Sequence, residues 1–138
     1  MNTNQIFIEQ VSPFDVTTTV EKLIASASQK EWQNPAVHNL QQSFAKEGNV
    51  MRPVQVIELC KQEYSGFMHE KNRERVASIL TMPCRISVYE KDDGMTYVSL
   101  FNMAAMITGL TSSENEIIRD ASHETIEIVK SVIGEIKE

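Results

Sequence analysis

Cys60 and Cys84 are the residues whose type and position best suit chemistry. A thiolate is a nucleophile and a soft metal ligand. Cys60 closes the β-like run Pro53–Cys60, and Cys84 opens another, Cys84–Glu90. If the two strands are antiparallel neighbours, both thiols come to one end of the sheet and can approach each other. If they are parallel, the thiols lie at opposite ends. Tyr64 and His69 fall in the connecting segment, where either can complete a thiol or metal site and His69 can pair with Cys60 or Cys84 as a Cys–His nucleophile. The plainer alternative is two small apolar side chains in a core, because free Cys is among the most buried residue types. Two cysteines without a closely spaced ligand pair make a poor zinc site. His38 and His123 are scattered, and His123 beside Glu124 reads as a surface residue.

Recurring catalytic motifs are missing. There is no G-x-S-x-G, G-x-G-x-x-G, P-loop, H-E-x-x-H or C-x-x-C, and the 5 glycines supply no obvious phosphate-cradling loop. The 13 Lys+Arg against 19 Asp+Glu give a net charge of −6, which disfavours nucleic acid and anionic lipid as main partners. No apolar run approaches a membrane span, and the opening residues MNTNQIFIEQ lack the basic and apolar regions of a signal peptide. At 138 residues, with 41% hydrophobic and 23% charged residues, the chain is expected to form a single domain, 1–138, in the cytoplasm with reduced thiols.

The elements that must position these residues follow from periodicity. Gln5–Gln10 alternates as a short strand. Ser12-Pro13-Phe14-Asp15 opens a helix, with Ser12 as the expected cap. Val16, Val20, Leu23, Ile24 and Ala27 form its apolar stripe, ending near Trp32. Asn34-Pro35 breaks the pattern, and Leu40 and Phe44 suggest a short helix within Val37–Gly48. Glu63–Leu80 reads as interrupted helix. Cys84–Glu90 and Met95–Phe101 flank Lys91-Asp92-Asp93-Gly94 and form the clearest local signal, a β-hairpin. Ser113 and Glu116 make a capping box for a long helix whose stripe runs from Ile117 through Ala121, Ile128 and Val132 to Ile136. Its acidic remainder, Glu124 included, reads as a solvated back. Seven Met residues are core fillers or an adaptable apolar lining. Strands and helices do not alternate strictly, so the expected class is α+β, a mainly antiparallel sheet with the first and last helices on one face.

The stretch from Cys60 to Asn102 resembles the bacterial and archaeal family called domain of unknown function 302. The resemblance is carried by Cys60, Pro83-Cys84-Arg85, Val88-Tyr89-Glu90, Asp93-Gly94 and Asn102, with the opening helix after Phe14 in support. It implies a curved antiparallel sheet under two main helices, of TATA-binding-protein-like shape, assembling as a homodimer. It adds Asn102 to Cys60, Tyr64, His69 and Cys84 as candidate ligand-binding residues. Lys61-Gln62 departs from the family's usual Asn-Pro after the first Cys.

Three functions are weighed. The first is a noncatalytic dimeric module that binds a small ligand or a partner protein in a groove between sheet and helices. The second is a thiol-dependent, metal-binding or haem-binding protein using Cys60 and Cys84. The third, nucleic-acid binding, rests on fold analogy alone. No catalytic residue is identified, and no cofactor is expected under the first reading.

Overall fold

The computed structural model describes residues 6–61, 84–102 and 112–134. It is an α+β fold. Strand β1 (Phe7–Ser12) leads into helix α1 (Val16–Gln29), and strand β2 (Gln33–Asn39) into helix α2 (Leu40–Lys46). Strands β3 (Val54–Cys60), β4 (Cys84–Glu90) and β5 (Thr96–Phe101) follow, and then helix α3 (Ser112–Ile133). The five strands form one sheet in the order β1-β5-β4-β3-β2, antiparallel throughout.

One face of this sheet is covered. Ile8, Ile57, Leu59, Ile86, Val88, Val98 and Leu100 alternate along their strands and are buried with Val20 and Leu23 of α1 and Ile118, Ile128 and Val129 of α3. The register sets them opposite one another, Ile57 against Ile86 and Ile86 against Leu100. The other face carries Glu9, Arg85, Ser87, Tyr89, Tyr97, Ser99 and Glu58, all half-buried or exposed. Among the described residues, the helices that bury the core lie on one side of the sheet, which explains the period-2 pattern of the strands.

The hairpin forms as its turn residues demand. Gly94 sits at φ 80° and its N–H donates to the Lys91 carbonyl at 2.9 Å, while the Lys91 N–H donates to the Met95 carbonyl at 3.1 Å. This is a three-residue loop with glycine in the left-handed position. Asp93 adds Oδ1 as acceptor for the Met95 N–H at 2.8 Å.

Two local expectations are corrected. The cap of α1 is Asp15, whose Oδ1 accepts from the Thr18 N–H at 2.7 Å. Ser12 instead ends β1, buried, with its hydroxyl on Thr19 Oγ1 at 2.7 Å. Asn34-Pro35 does not end regular structure: it lies within β2, which is an edge strand, where a missing N–H costs no ladder bond. The short helix is present as α2, closed by Gly48 at φ 80°. The long helix begins at Ser112, and Gly134 at φ 88° follows its last residue. Ile136 and the segment 62–83 between β3 and β4 lie outside the described residues.

Candidate functional site

The site is built at one end of the sheet, where β3 stops, β4 starts, β5 stops and β2 starts. Helix α1 delivers Trp32 to this end. The Trp32 N–H reaches back to the Ala27 carbonyl at 3.0 Å and the Glu31 N–H to the Ser28 carbonyl at 3.0 Å. That pattern is a Schellman turn, which needs a left-handed residue at its centre. Glu31 takes that role at φ 67°, although it is not glycine. The turn throws Trp32 under Ala27, and only 3% of the tryptophan is exposed. Its indole Nε1 donates to Glu124 Oε1 at 3.1 Å, and Lys61 Nζ donates to the same oxygen at 2.6 Å. Lys61 is the residue just beyond β3, and its side chain is 13% exposed. Three distant segments are thus joined through one carboxylate of α3.

A cleft of about 330 Å³ opens beside Trp32 between α1 and β2, lined by Ile24, Ala27, Trp32, Gln33, Pro35 and Leu59. Its lining is mixed: Ile24, Ala27, Pro35 and Leu59 are apolar, and Gln33 and Ser28 add polar surface. Ligand sites commonly start at about this volume. A second depression of about 350 Å³ lies by α2, between Asn39, Gln42, Ala45, Val50 and Met51.

Cys60 and Cys84 do come to the same end on antiparallel neighbours, but one residue out of step. Cys84 faces Leu59 in the register, so Cys60 is displaced by one position and points to the opposite face. Cys84 packs against the covered core. Cys60 lies on the open face and feels the charges of Glu58 and Arg85. Burial pushes the Cys84 thiol up to about 12, with the neighbouring Cys60 adding to the shift. Burial also raises Cys60, followed by the Glu58 charge. Both thiols are free and protonated at neutral pH. The approach that a thiol pair requires is therefore not made across this ladder, and neither sulfur is activated.

Asn102 ends β5 at the same end of the sheet. It is 4% exposed, and its N–H donates to the Ile6 carbonyl at 2.7 Å. Tyr64 and His69 lie outside the described residues. Among the described residues, no three of His, Cys, Asp and Glu are grouped to hold a metal ion. No helix among them is long and apolar enough to cross a membrane.

Trp32, Lys61 and Glu124 were not legible as site residues. Trp32 reads as the end of an apolar stripe and Glu124 as part of an acidic back. One signal was available: Glu124 stands three residues after Ala121 and four before Ile128, inside the stripe rather than behind it.

The open face holds two further polar clusters. His38 Nε2 meets Glu58 Oε1 at 2.5 Å, and Arg85 Nη2 meets Glu58 Oε2 at 3.2 Å. The hydrogen bond from His38 is the main cause holding Glu58 below the usual carboxylate range. Nearer β1, Glu9 accepts from Tyr89 and from Lys91 Nζ, the latter at 2.8 Å. The Tyr97 hydroxyl donates to Asp93 Oδ2 at 2.6 Å, and Lys91 Nζ stands 4.1 Å from the Tyr97 ring centroid. Burial first, and the Glu9 hydrogen bond second, push Tyr89 up to about 12.

No curated protein matches the chain. A solved structure does: a crystal structure of an uncharacterized conserved DUF302 protein from Bacillus stearothermophilus, with a TM-score of 0.79 and 15% sequence identity. The superposition covers 93% of this chain and 98% of that one. The likeness bears on fold, and it agrees with the antiparallel sheet and its helices described above. The family described as Domain of unknown function DUF302 matches residues 8–136, nearly the whole sequence. The chain belongs to that family.

Proposed function

We propose that the protein is a noncatalytic, dimeric binding module that holds a small, flat, largely apolar molecule in the cleft between α1 and β2. The observation that carries this reading is the cleft itself: about 330 Å³ beside a buried tryptophan whose indole N–H is fixed by Glu124. With 3% of its surface exposed, the tryptophan fixes the floor of the cleft rather than supplying contact area, and a floor ordered in advance costs little further side-chain entropy on binding. The thiol-dependent reading has less support, because the two cysteines face opposite sides of the sheet and both thiols are raised. Free cysteines suit a reducing compartment, so the proposed location is the cytoplasm.

The test uses Trp32 as its own reporter, since it is the single tryptophan of the chain. Indole and naphthalene fragments are titrated against the full chain and followed by tryptophan emission and saturation-transfer NMR. A saturable change is expected for at least one fragment. Ser28→Phe, at an exposed rim position, should abolish that change while leaving the thermal midpoint in place. No saturable response from any fragment, or a response indifferent to Ser28→Phe, overturns the reading.

A further inference from the structure

We infer that two copies of the chain join along β1, antiparallel and centred on Glu9, so that their sheets run together as one. The inference rests on the dimer in the proposed function and adds the surface and the register. It begins with the backbone. The Asn102 N–H donates to the Ile6 carbonyl, so Ile6 and Asn102 form a hydrogen-bonded pair of the β1–β5 ladder. Antiparallel pairs alternate, so Ile8, Gln10 and Ser12 also bond inward. Phe7, Glu9 and Val11 then turn their N–H and C=O groups outward, and no strand pairs with them among the described residues.

The two edges of the sheet are unlike. The β2 edge is blunted by Pro35 and by a register irregularity between Gln33 and Ala36. The β1 edge lacks most of these protections: it is six residues long and regular, with neither Pro nor Lys within it, and its one charge, Glu9, is already paired with Lys91. It is also flanked by exposed apolar groups, Ile6 at 49%, Phe7 at 58% and Phe101 at 40%, and the two phenylalanine rings lie 5.1 Å apart.

The occupant is a second copy because the edge complements itself. Read along the outward positions, β1 is apolar, acidic, apolar: Phe7, Glu9, Val11. Pairing Glu9 with the second copy's Glu9 sets each Phe7 opposite a Val11 on the open face and makes all three outward positions hydrogen-bonded. Shifting by one pair would set Phe7 against a carboxylate. The two apposed carboxylates are tolerable because each already carries Lys91 Nζ at 2.8 Å and the Tyr89 hydroxyl. Like charges directly opposite would otherwise disfavour this register.

Sedimentation velocity on the full chain tests it, with a dimer expected. Val11→Pro removes an outward N–H only, so it should weaken self-association by at least ~tenfold while the thermal melt stays cooperative. Lys91→Ala should weaken the dimer as well, by leaving the paired carboxylates without their counterions. Glu9→Cys, in a Cys60→Ser, Cys84→Ser background, should cross-link to itself on oxidation, because directly opposed Cα atoms lie within disulfide reach. A monomer at every concentration overturns both this surface and the dimer of the proposed function. A dimer that survives Val11→Pro and gives no Glu9→Cys cross-link overturns this surface alone. Neither result touches the ligand reading, which is measured by tryptophan emission.

Discussion

The two faces of the sheet are held by different physics. The covered face is a dry interlock in which Ile8, Ile57, Ile86, Val88 and Val98 have no exposed surface at all. The open face is a lattice of partnered charges and tyrosines: Glu58 with His38 and Arg85, Glu9 with Tyr89 and Lys91, Asp93 with Tyr97. Burial of apolar area is the dominant stabilising term, whereas exposed ion pairs contribute little. The contrast assigns most of the stability to one face and polar, solvent-screened contacts to the other. Because Cys84 belongs to the first face and Cys60 to the second, the cysteines report the difference directly.

The largest effect should come from the middle of the covered face. Ile86 is fully buried between Ile57 and Leu100 on the neighbouring strands. Ile86→Ala should cost about 3 kcal/mol, from lost transfer energy plus the cavity left behind. Urea denaturation checks this. Ser87→Ala, its neighbour on the open face, should change the midpoint little in the same experiment. Equal losses at both positions would break the division between the faces.

The cysteines sharpen it next. Cys84 has its folded pKa raised to about 12 from an ordinary 9.0, so the unfolded chain ionises first as pH rises. Above about pH 9 the folded state binds more protons than the unfolded one, and stability falls by up to about 1.4 kcal/mol per pH unit until the folded thiol ionises. Tyr89, raised to about 12 from 10.0 but partly exposed to solvent, adds a smaller fall that starts one unit later. Cys84→Ala should therefore flatten the early part of the alkaline limb, and Tyr89→Phe the later part, in denaturation curves collected from pH 8 to 11. Thiol labelling at neutral pH should reach Cys60 well before Cys84. Equal labelling rates would place Cys84 outside the core.

At the sheet end, Glu124→Gln tests how far the carboxylate ties the covered side together. It leaves an acceptor for the Trp32 indole but removes the charge that faces Lys61 at 2.6 Å. A loss of about 1–2 kcal/mol is expected for this half-buried, charge-assisted contact, with a red shift of tryptophan emission as the cleft wall loosens. An unchanged emission maximum would mean that packing under Ala27 alone fixes the indole.

Much of the fold was legible in short-range pattern. The hairpin needed only two β-rich runs and the left-handed glycine at position 94, and α1 needed only its stripe from Val16 to Ala27. Strand β2 was not legible, because Asn34-Pro35 is locally a breaker. Only its place at the sheet edge, a property of tertiary pairing, makes Pro35 harmless. The site shows the same limit more sharply. That Cys60 and Cys84 share one end of the sheet followed from strand boundaries and antiparallel pairing. That they point to opposite faces depends on a single step of register, which no local signal fixes. The bond between Trp32 and Glu124 spans 92 residues and had no local signature beyond a carboxylate set inside an apolar stripe.

The smallest effect belongs to the open face and has the opposite dependence on pH. Glu58 is held below the usual carboxylate range, chiefly by the His38 hydrogen bond, with Arg85 assisting. A carboxylate with a depressed folded pKa contributes stability above its unfolded value, and that contribution is lost as pH falls through the folded value. Since His38 and Arg85 are both half exposed, solvent screens the cluster and the contribution is small. Glu58→Gln should leave the thermal midpoint at neutral pH within measurement error and remove a shallow slope that sets in below about pH 5. The covered face therefore weakens in alkali, through a thiol that must not ionise, and the open face in acid, through carboxylates that must. A Glu58→Gln variant that melts as early as Ile86→Ala would show that the open-face lattice is structural.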